Sequence, residues 1–260
     1  MLASAMYFSD YSSTITELNY RNITVIDFAL VKDENLSPES LYMNLEGNDL
    51  TFMPANFSSY FPHIERIILT YNWRLSFPLN GSPFLRSPSL IELFCERCGI
   101  NEIFTQSLRR LPNLEYLRLR ENQIIRIAPH SFRKNGNLQD VDLSFNKLSI
   151  VPAEMLKGLR RIKVLDLSNN PHLGVVNDTP FLASDVLKVL KCNYCGFTKS
   201  YEETFSVLPN LKELHLKGNQ ILTVPYLPVP VVLIARQGFQ QASGRNELFN
   251  DSEHRNSYWG

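Results

Sequence analysis

Apolar and polar residues alternate along this chain in short bursts of period two, and the bursts recur at near-constant intervals. The clearest copy is Leu114, Leu117, Leu119, Asn122 and Ile124, spaced as L-x-x-L-x-L-x-x-N-x-L. Leu138, Val141, Leu143, Asn146 and Leu148 repeat it, as do Leu211, Leu214, Leu216, Asn219 and Ile221. Ile162, Leu165, Leu167, Asn170 and Leu173 follow it with one extra residue before the last leucine. Looser copies are Ser40/Met43/Leu45/Asn48/Leu50, Ile64/Ile67/Leu69/Asn72/Leu75, Leu90/Leu93/Cys95/Cys98/Ile100 and Leu187/Leu190/Cys192/Cys195/Phe197. Unit starts fall at 40, 64, 90, 114, 138, 162, 187 and 211, so the period stays at 24 to 26 residues. That register over eight copies predicts a solenoid.

The spacing carries its own physics. Inward side chains at the fourth and sixth positions are strand periodicity, so each unit adds one short strand to a parallel sheet. The asparagine turns inward just after the strand, where its amide can pair backbone groups otherwise buried without partners. Later apolar residues, such as Ile127 and Phe132 or Phe205 and Leu208, close each coil. Pro54, Pro152 and Pro225 stand on return segments that need no ladder N–H. No unit buries its own apolar face, so stacking supplies the core. Eight strands at ~4.8 Å give a slab on the order of 35 Å long.

The pattern resembles the leucine-rich repeat family over about residues 40 to 239. A period near 24 with an L-P-x-x-x-F-like return is similar to the typical class of animal extracellular proteins. Within it, the style is similar to arthropod leucine-rich immune proteins and Toll-like receptor ectodomains. The resemblance implies an α/β fold class, a right-handed leucine-rich repeat solenoid with a curved parallel β-sheet on the concave face. The expected organisation is an N-terminal segment with one degenerate repeat at 1–39, the solenoid at 40–239 with eight repeats and a shortened ninth, and a polar tail at 240–260. Two phases compete before Ser40, either Ile15, Leu18, Tyr20, Ile23 and Val25, or Ile23, Ile26 and Phe28. Val229, Val232, Ile234, Gln237 and Phe239 are the candidate ninth unit.

Composition adds little beyond 37 leucines in 260 residues. No apolar run reaches the roughly 18 to 20 residues that span a membrane. The net charge of +0 argues against a general nucleic-acid binder. It conceals an asymmetry, with 2 basic and 8 acidic residues in 1–60 against 22 and 15 in 61–239. Sequons occur at Asn22, Asn56 and Asn250, and at Asn35, Asn80 and Asn177, each of the last three with a proline just after. Asn22, Asn56 and Asn250 are therefore the glycosylation candidates, which points outside the cell. Against this, the first eleven residues lack the basic and apolar regions of a signal peptide. The cysteine-rich caps common in extracellular family members are also missing. The chain reads as an extracellular fragment, with an intracellular scaffold or adaptor as the alternative.

The 4 cysteines form two C-x-x-C pairs. Cys95/Cys98 and Cys192/Cys195 occupy equivalent positions four units apart, ~19 Å at strand spacing. A shared zinc is excluded, because Zn–S bonds are about 2.3 Å. The expected state is buried free thiol, Cys95 and Cys192 replacing inward leucines and Cys98 and Cys195 replacing ladder asparagines. A disulfide within each pair is the competing reading. His63, His130, His172, His215 and His254 form no metal or catalytic pattern, and no nucleophile elbow, phosphate loop or dinucleotide turn is present. No enzyme, cofactor or metal site is expected.

Function is then expected on the concave sheet, at template positions five, seven and eight. Ile68, Tyr71 and Phe94 form an apolar–aromatic patch beside Arg97, Arg118 and Arg120, with Phe145 and Tyr194 further along. Aromatic and arginine side chains on one surface suit a protein partner. The expected role is non-catalytic protein binding, in innate immunity or cell adhesion, with no nucleic acid involved.

Overall fold

The computed structural model describes residues 14–221, 225–235 and 248–249. Each unit contributes a three-residue strand: β1 Ile15–Glu17, β2 Tyr42–Asn44, β3 Arg66–Ile68, β4 Glu92–Phe94, β6 Tyr116–Arg118, β8 Asp140–Asp142, β9 Val164–Asp166, β10 Val189–Lys191, β11 Glu213–His215 and β12 Val232–Ile234. They pair in parallel in chain order, and β13 (Leu248–Phe249) extends the same sheet to 11 strands. A second sheet of β5 (Glu102–Ile103) and β7 (Arg126–Ile127) lies on the return side. Among the described residues, helix is confined to α1 (Phe28–Asp33), capped by the Asp27 carboxylate on Leu30 N, and α2 (Phe57–Tyr60). The molecule is a parallel-strand solenoid, mostly sheet.

Register follows the fourth-position column. Met43, Ile67, Leu93, Leu117, Val141, Leu165, Leu190 and Leu214 are Cα partners in series and all buried. Strands end after three residues because the eighth position turns left-handed. Tyr20, Gly47, Tyr71, Arg97, Glu121, Phe145, Asn169, Tyr194 and Gly218 all have φ between 49° and 72°.

That turn delivers the ninth-position asparagine to the core. Asn146 Nδ2 donates to Leu143 O and to Leu119 O of the preceding unit, both at 3.0 Å. Its Oδ1 accepts from Ile124 N at 3.0 Å. Asn72, Asn122, Asn170 and Asn219 repeat the arrangement. The Leu45, Leu119 and Leu143 carbonyls therefore accept from their own asparagine and the next. The buried backbone is satisfied in the direction the strands do not serve.

Both ends depart from the sequence reading. At the N-terminus, Thr16 pairs with Met43, which puts Thr16 and Leu18 inward. The two expected phases fail because Tyr20 is 63 % and Phe28 66 % exposed. Thr16 escaped recognition because a polar residue fills an inward site, where its hydroxyl meets Ser40 Oγ at 2.7 Å. In the ninth unit the register is one residue later than expected. Leu233 pairs with Leu214, and Val231, Leu233 and Ala235 are buried in place of Val232 and Ile234. A one-residue slip inverts every side chain of a strand, and a run of consecutive apolar residues does not reveal its phase. Gln237, Phe239, Asn250 and His254 lie outside the described residues, while β13 falls within the segment read as a polar tail.

The cysteines also differ from expectation. Cys95 and Cys98 are disulfide-bonded, with Cα atoms 5.7 Å apart, whereas Cys192 and Cys195 are free and buried. The inward placement of all four holds, and in the first pair the two side chains aimed at one core site lie within bonding reach and are joined. Burial, with a hydrogen bond to Cys195 second, pushes the Cys192 thiol well above its ordinary value. Ellman titration is expected to find no reactive thiol in the native protein and two after denaturation without reductant. Four thiols without reductant would show that the bond is absent.

Candidate functional site

Strands β3, β4 and β6 set Ile68, Phe94 and Arg118 side by side, each at the fifth position of its unit. All three are part-buried on the open face of the sheet. The Arg66 guanidinium lies 6.0 Å from the Phe94 ring and pairs with Glu92. Arg118 forms a two-pronged bridge to Asp140, both contacts at 2.9 Å.

The left-handed turns make a second row along the edge of that face. Tyr71 and Trp73 meet edge to face with ring centroids 5.9 Å apart. Arg97 covers the Tyr71 ring at 5.0 Å and donates to its hydroxyl at 2.6 Å. Arg97 and Arg120 both donate to Glu121, and Arg120 lies 4.0 Å from the Phe145 ring centroid. One chain of contacts, Trp73–Tyr71–Arg97–Glu121–Arg120–Phe145, thus crosses four consecutive units. Its outer members are open to solvent, Trp73 at 61 % and Phe145 at 41 % exposure.

Electrostatics explain why the row holds its shape. The hydrogen bond from Arg97 keeps the Glu121 carboxyl below the usual range, opposed by some burial and reinforced by Arg120. The same contact raises Arg97. Neighbouring Glu96 moves the other way, pushed up by burial and then by Asp142. Arg97, Arg118 and Arg120 are each paired within the chain, so the row is polar and rigid without being strongly cationic.

Of the residues singled out from sequence, Ile68, Tyr71, Phe94, Arg97, Arg118, Arg120 and Phe145 lie in this region, on adjoining units. Tyr194 stands apart, two units beyond Phe145, with its ring against Gly218, where an added Cβ would lie 2.2 Å away. His215 is on the sheet as the template required, 3.3 Å from Glu213. Trp73, Glu121, Arg66 and Asp140 were missed. Trp73 sits on the extra residue of its unit, which the template does not cover. The other three are charged residues whose pairing only the register reveals.

A family model described as leucine rich repeat matches residues 88–148 and 112–171. That segment carries the leucine-rich repeat pattern. Among similar proteins, Toll-like receptor 9 of Canis lupus familiaris is 26 % identical over 69 % of the chain and 20 % of the receptor. Podocan of Mus musculus is 28 % identical over 72 % of the chain and 34 % of podocan. Osteomodulin of Bos taurus is 25 % identical over 70 % and 42 %. The chain spans less than half the length of each. A leucine-rich repeat protein of Leptospira interrogans shares the fold at a TM-score of 0.50 and 22 % identity, over 79 % of this chain and 55 % of that one. A chain of the Drosophila Toll–Spatzle complex does so at 0.55 and 13 %, over 84 % and 40 %. No helix among the described residues is long and apolar enough to cross a membrane.

Proposed function

We propose that this leucine-rich repeat protein is a non-catalytic, extracellular protein-binding module, with the concave sheet and its edge row as the contact surface. The observation that carries the proposal is the aromatic row of exposed Trp73 and Phe145 and half-buried Tyr71, held in place by Arg97, Glu121 and Arg120. Aromatic rings immobilised before contact lose little further entropy on binding, which is what contact hot spots require. The arginines act mainly as props for the rings, since their charges are already answered by Glu121 and Asp140. The open sheet suits a protein surface better than a small molecule, which needs enclosure.

The extracellular setting is supported by the Cys95–Cys98 disulfide, by exposed sequon asparagines Asn22 and Asn56, and by the kinds of protein the chain resembles. Toll–Spatzle is itself a protein–protein complex on this fold.

The test is affinity capture from native extracellular fluid, followed by binding measurements on the captured protein. Phe145→Ala combined with Tyr71→Ala is expected to weaken binding by at least about 2 kcal/mol, roughly thirtyfold, with an unchanged circular dichroism spectrum. Undiminished binding by that folded variant would remove the row as the contact site.

A further inference from the structure

The charges of the solenoid are segregated. Carboxylates stand on or beside the strands, as Glu92, Glu96, Glu121, Asp140 and Asp142 do. The return segments 76–91, 103–114 and 122–139 contain no Asp or Glu at all. Basic side chains occupy them instead at fixed template positions. Arg86, Arg110 and Lys134 each lie four residues before the first apolar residue of the next unit, and Arg109 and Arg133 lie five before, as does Lys157 in the following return segment, which also carries Glu154. All six are exposed.

Equal positions in a solenoid lie one above another, and the contacts between these segments are direct. Ser87 N donates to Arg110 O at 3.3 Å. The buried Asn135 amide donates to Leu108 O at 2.9 Å and Leu111 O at 2.8 Å, on either side of Arg109 and Arg110. A Cβ on Gly158 would lie 3.7 Å from Arg133 O. Arg86, Arg109 and Arg110 line one shallow groove with Ser58, Pro88 and Pro112. Arg160 and Arg161 prolong the basic surface into the following unit.

Unlike the arginines of the concave side, most of these have no internal partner. Lys157 bridges Glu154 at 2.7 Å, and Arg109 donates to the Gln106 amide at 2.9 Å. Among the described residues, no carboxylate lies in ion-pair range of Arg86, Arg110, Arg133, Lys134, Arg160 or Arg161. A like-charged file running along the solenoid is destabilising by itself, and a ligand of regularly spaced negative charge would relieve it.

We propose that this return flank binds a sulfated polysaccharide, lying along the solenoid axis across the units from Arg86 to Arg161. Guanidinium forks match the oxygens of a sulfate ester in paired hydrogen bonds. No exposed Phe, Tyr or Trp ring is present among the described residues of the three acid-free segments, so the flank lacks the large stacking platforms with which proteins hold single-stranded nucleic acid. The surface is distinct from the concave face.

The experiment is binding of the full chain to immobilised heparin over a NaCl series, with Arg110→Ser/Lys134→Ser compared against the charge-matched concave variant Arg66→Ser/Lys191→Ser. The flank variant is expected to lose about tenfold or more in affinity at 0.15 M salt, with the salt dependence reduced by roughly one to two charges. The concave variant should bind heparin as the wild type does. The proposal is overturned if both variants lose equally, if desulfated heparin binds as tightly, or if double-stranded DNA of equal charge binds more tightly than heparin.

Discussion

Replacing Asn146 with leucine is expected to destabilise the solenoid by roughly 3 kcal/mol, because one amide serves four backbone groups at once, and only Ser144 O keeps a backbone donor, Glu121 N. Ile124 N loses its acceptor entirely and is left as a buried orphan donor, at a cost of about 1–3 kcal/mol. Leu119 O and Leu143 O each lose one of two donors, the other being Asn122 and Asn170 respectively. Those two losses add about 0.5–1.5 kcal/mol apiece. Asn146 stands in a central unit, and a solenoid holds together only through neighbours, so the unfolding transition should also broaden. The sharper comparison is Asn146→Cys, because cysteine occupies this template position naturally in two other units. Cys195 Sγ donates to Leu167 O, reproducing one amide bond, but sulfur cannot also accept as the Oδ1 does. In both cysteine units the preceding loop is one residue longer, and the N–H that would need the Oδ1 turns back instead. Leu75 N donates to Asn72 O and Leu173 N to Asn170 O. Ile124 has no such extra residue. Asn146→Cys should therefore still cost about 2 kcal/mol in a urea titration, and a cost below 0.5 kcal/mol would show that the ladder contributes little here.

This link between loop length and residue type marks what the sequence could and could not disclose. The inward columns were legible because a repeated spacing averages over irregular units. Leu93, Leu117 and Val141 need no individual evidence once their neighbours set the phase. The ends had neighbours on one side only, so Thr16 and the Val231–Ala235 run were assigned the wrong phase. The concave residues were legible as positions but not as contacts. Arg97 and Arg120 converge on Glu121 because of the left-handed turn, which a polar residue list does not show. Cys95 and Cys98 were correctly placed inward, yet equal spacing in the second pair gave no means of telling a disulfide from two thiols.

The longer loops of the cysteine units lead to the second large effect. Gly196→Ala is expected to destabilise by about 2–4 kcal/mol, although alanine is a minimal change. The extra residue before Leu173 brings the Pro171 carbonyl inward, and a Cβ at position 196 would stand 2.1 Å from that oxygen. Both partners are backbone, so no side-chain rotation relieves the overlap. The cost of overpacking is typically 1–3 kcal/mol. Gly196 also has φ of 77°, which adds roughly 1–2 kcal/mol for any residue with a Cβ. Two other glycines separate these contributions. Gly81 has φ of 75° with nothing within 4 Å, so Gly81→Ala should show the backbone cost alone. Gly99, at the equivalent place in the other cysteine unit, would put its Cβ 2.6 Å from Trp73 O, so Gly99→Ala should show chiefly the overlap. If the three variants are measured by thermal and urea unfolding, the Gly196→Ala loss should approach the sum of the other two. A Gly196→Ala loss no greater than that of Gly81→Ala would mean the Pro171 loop yields freely. The longer loop, the cysteine and the glycine would then be independent features, not one packing unit used twice.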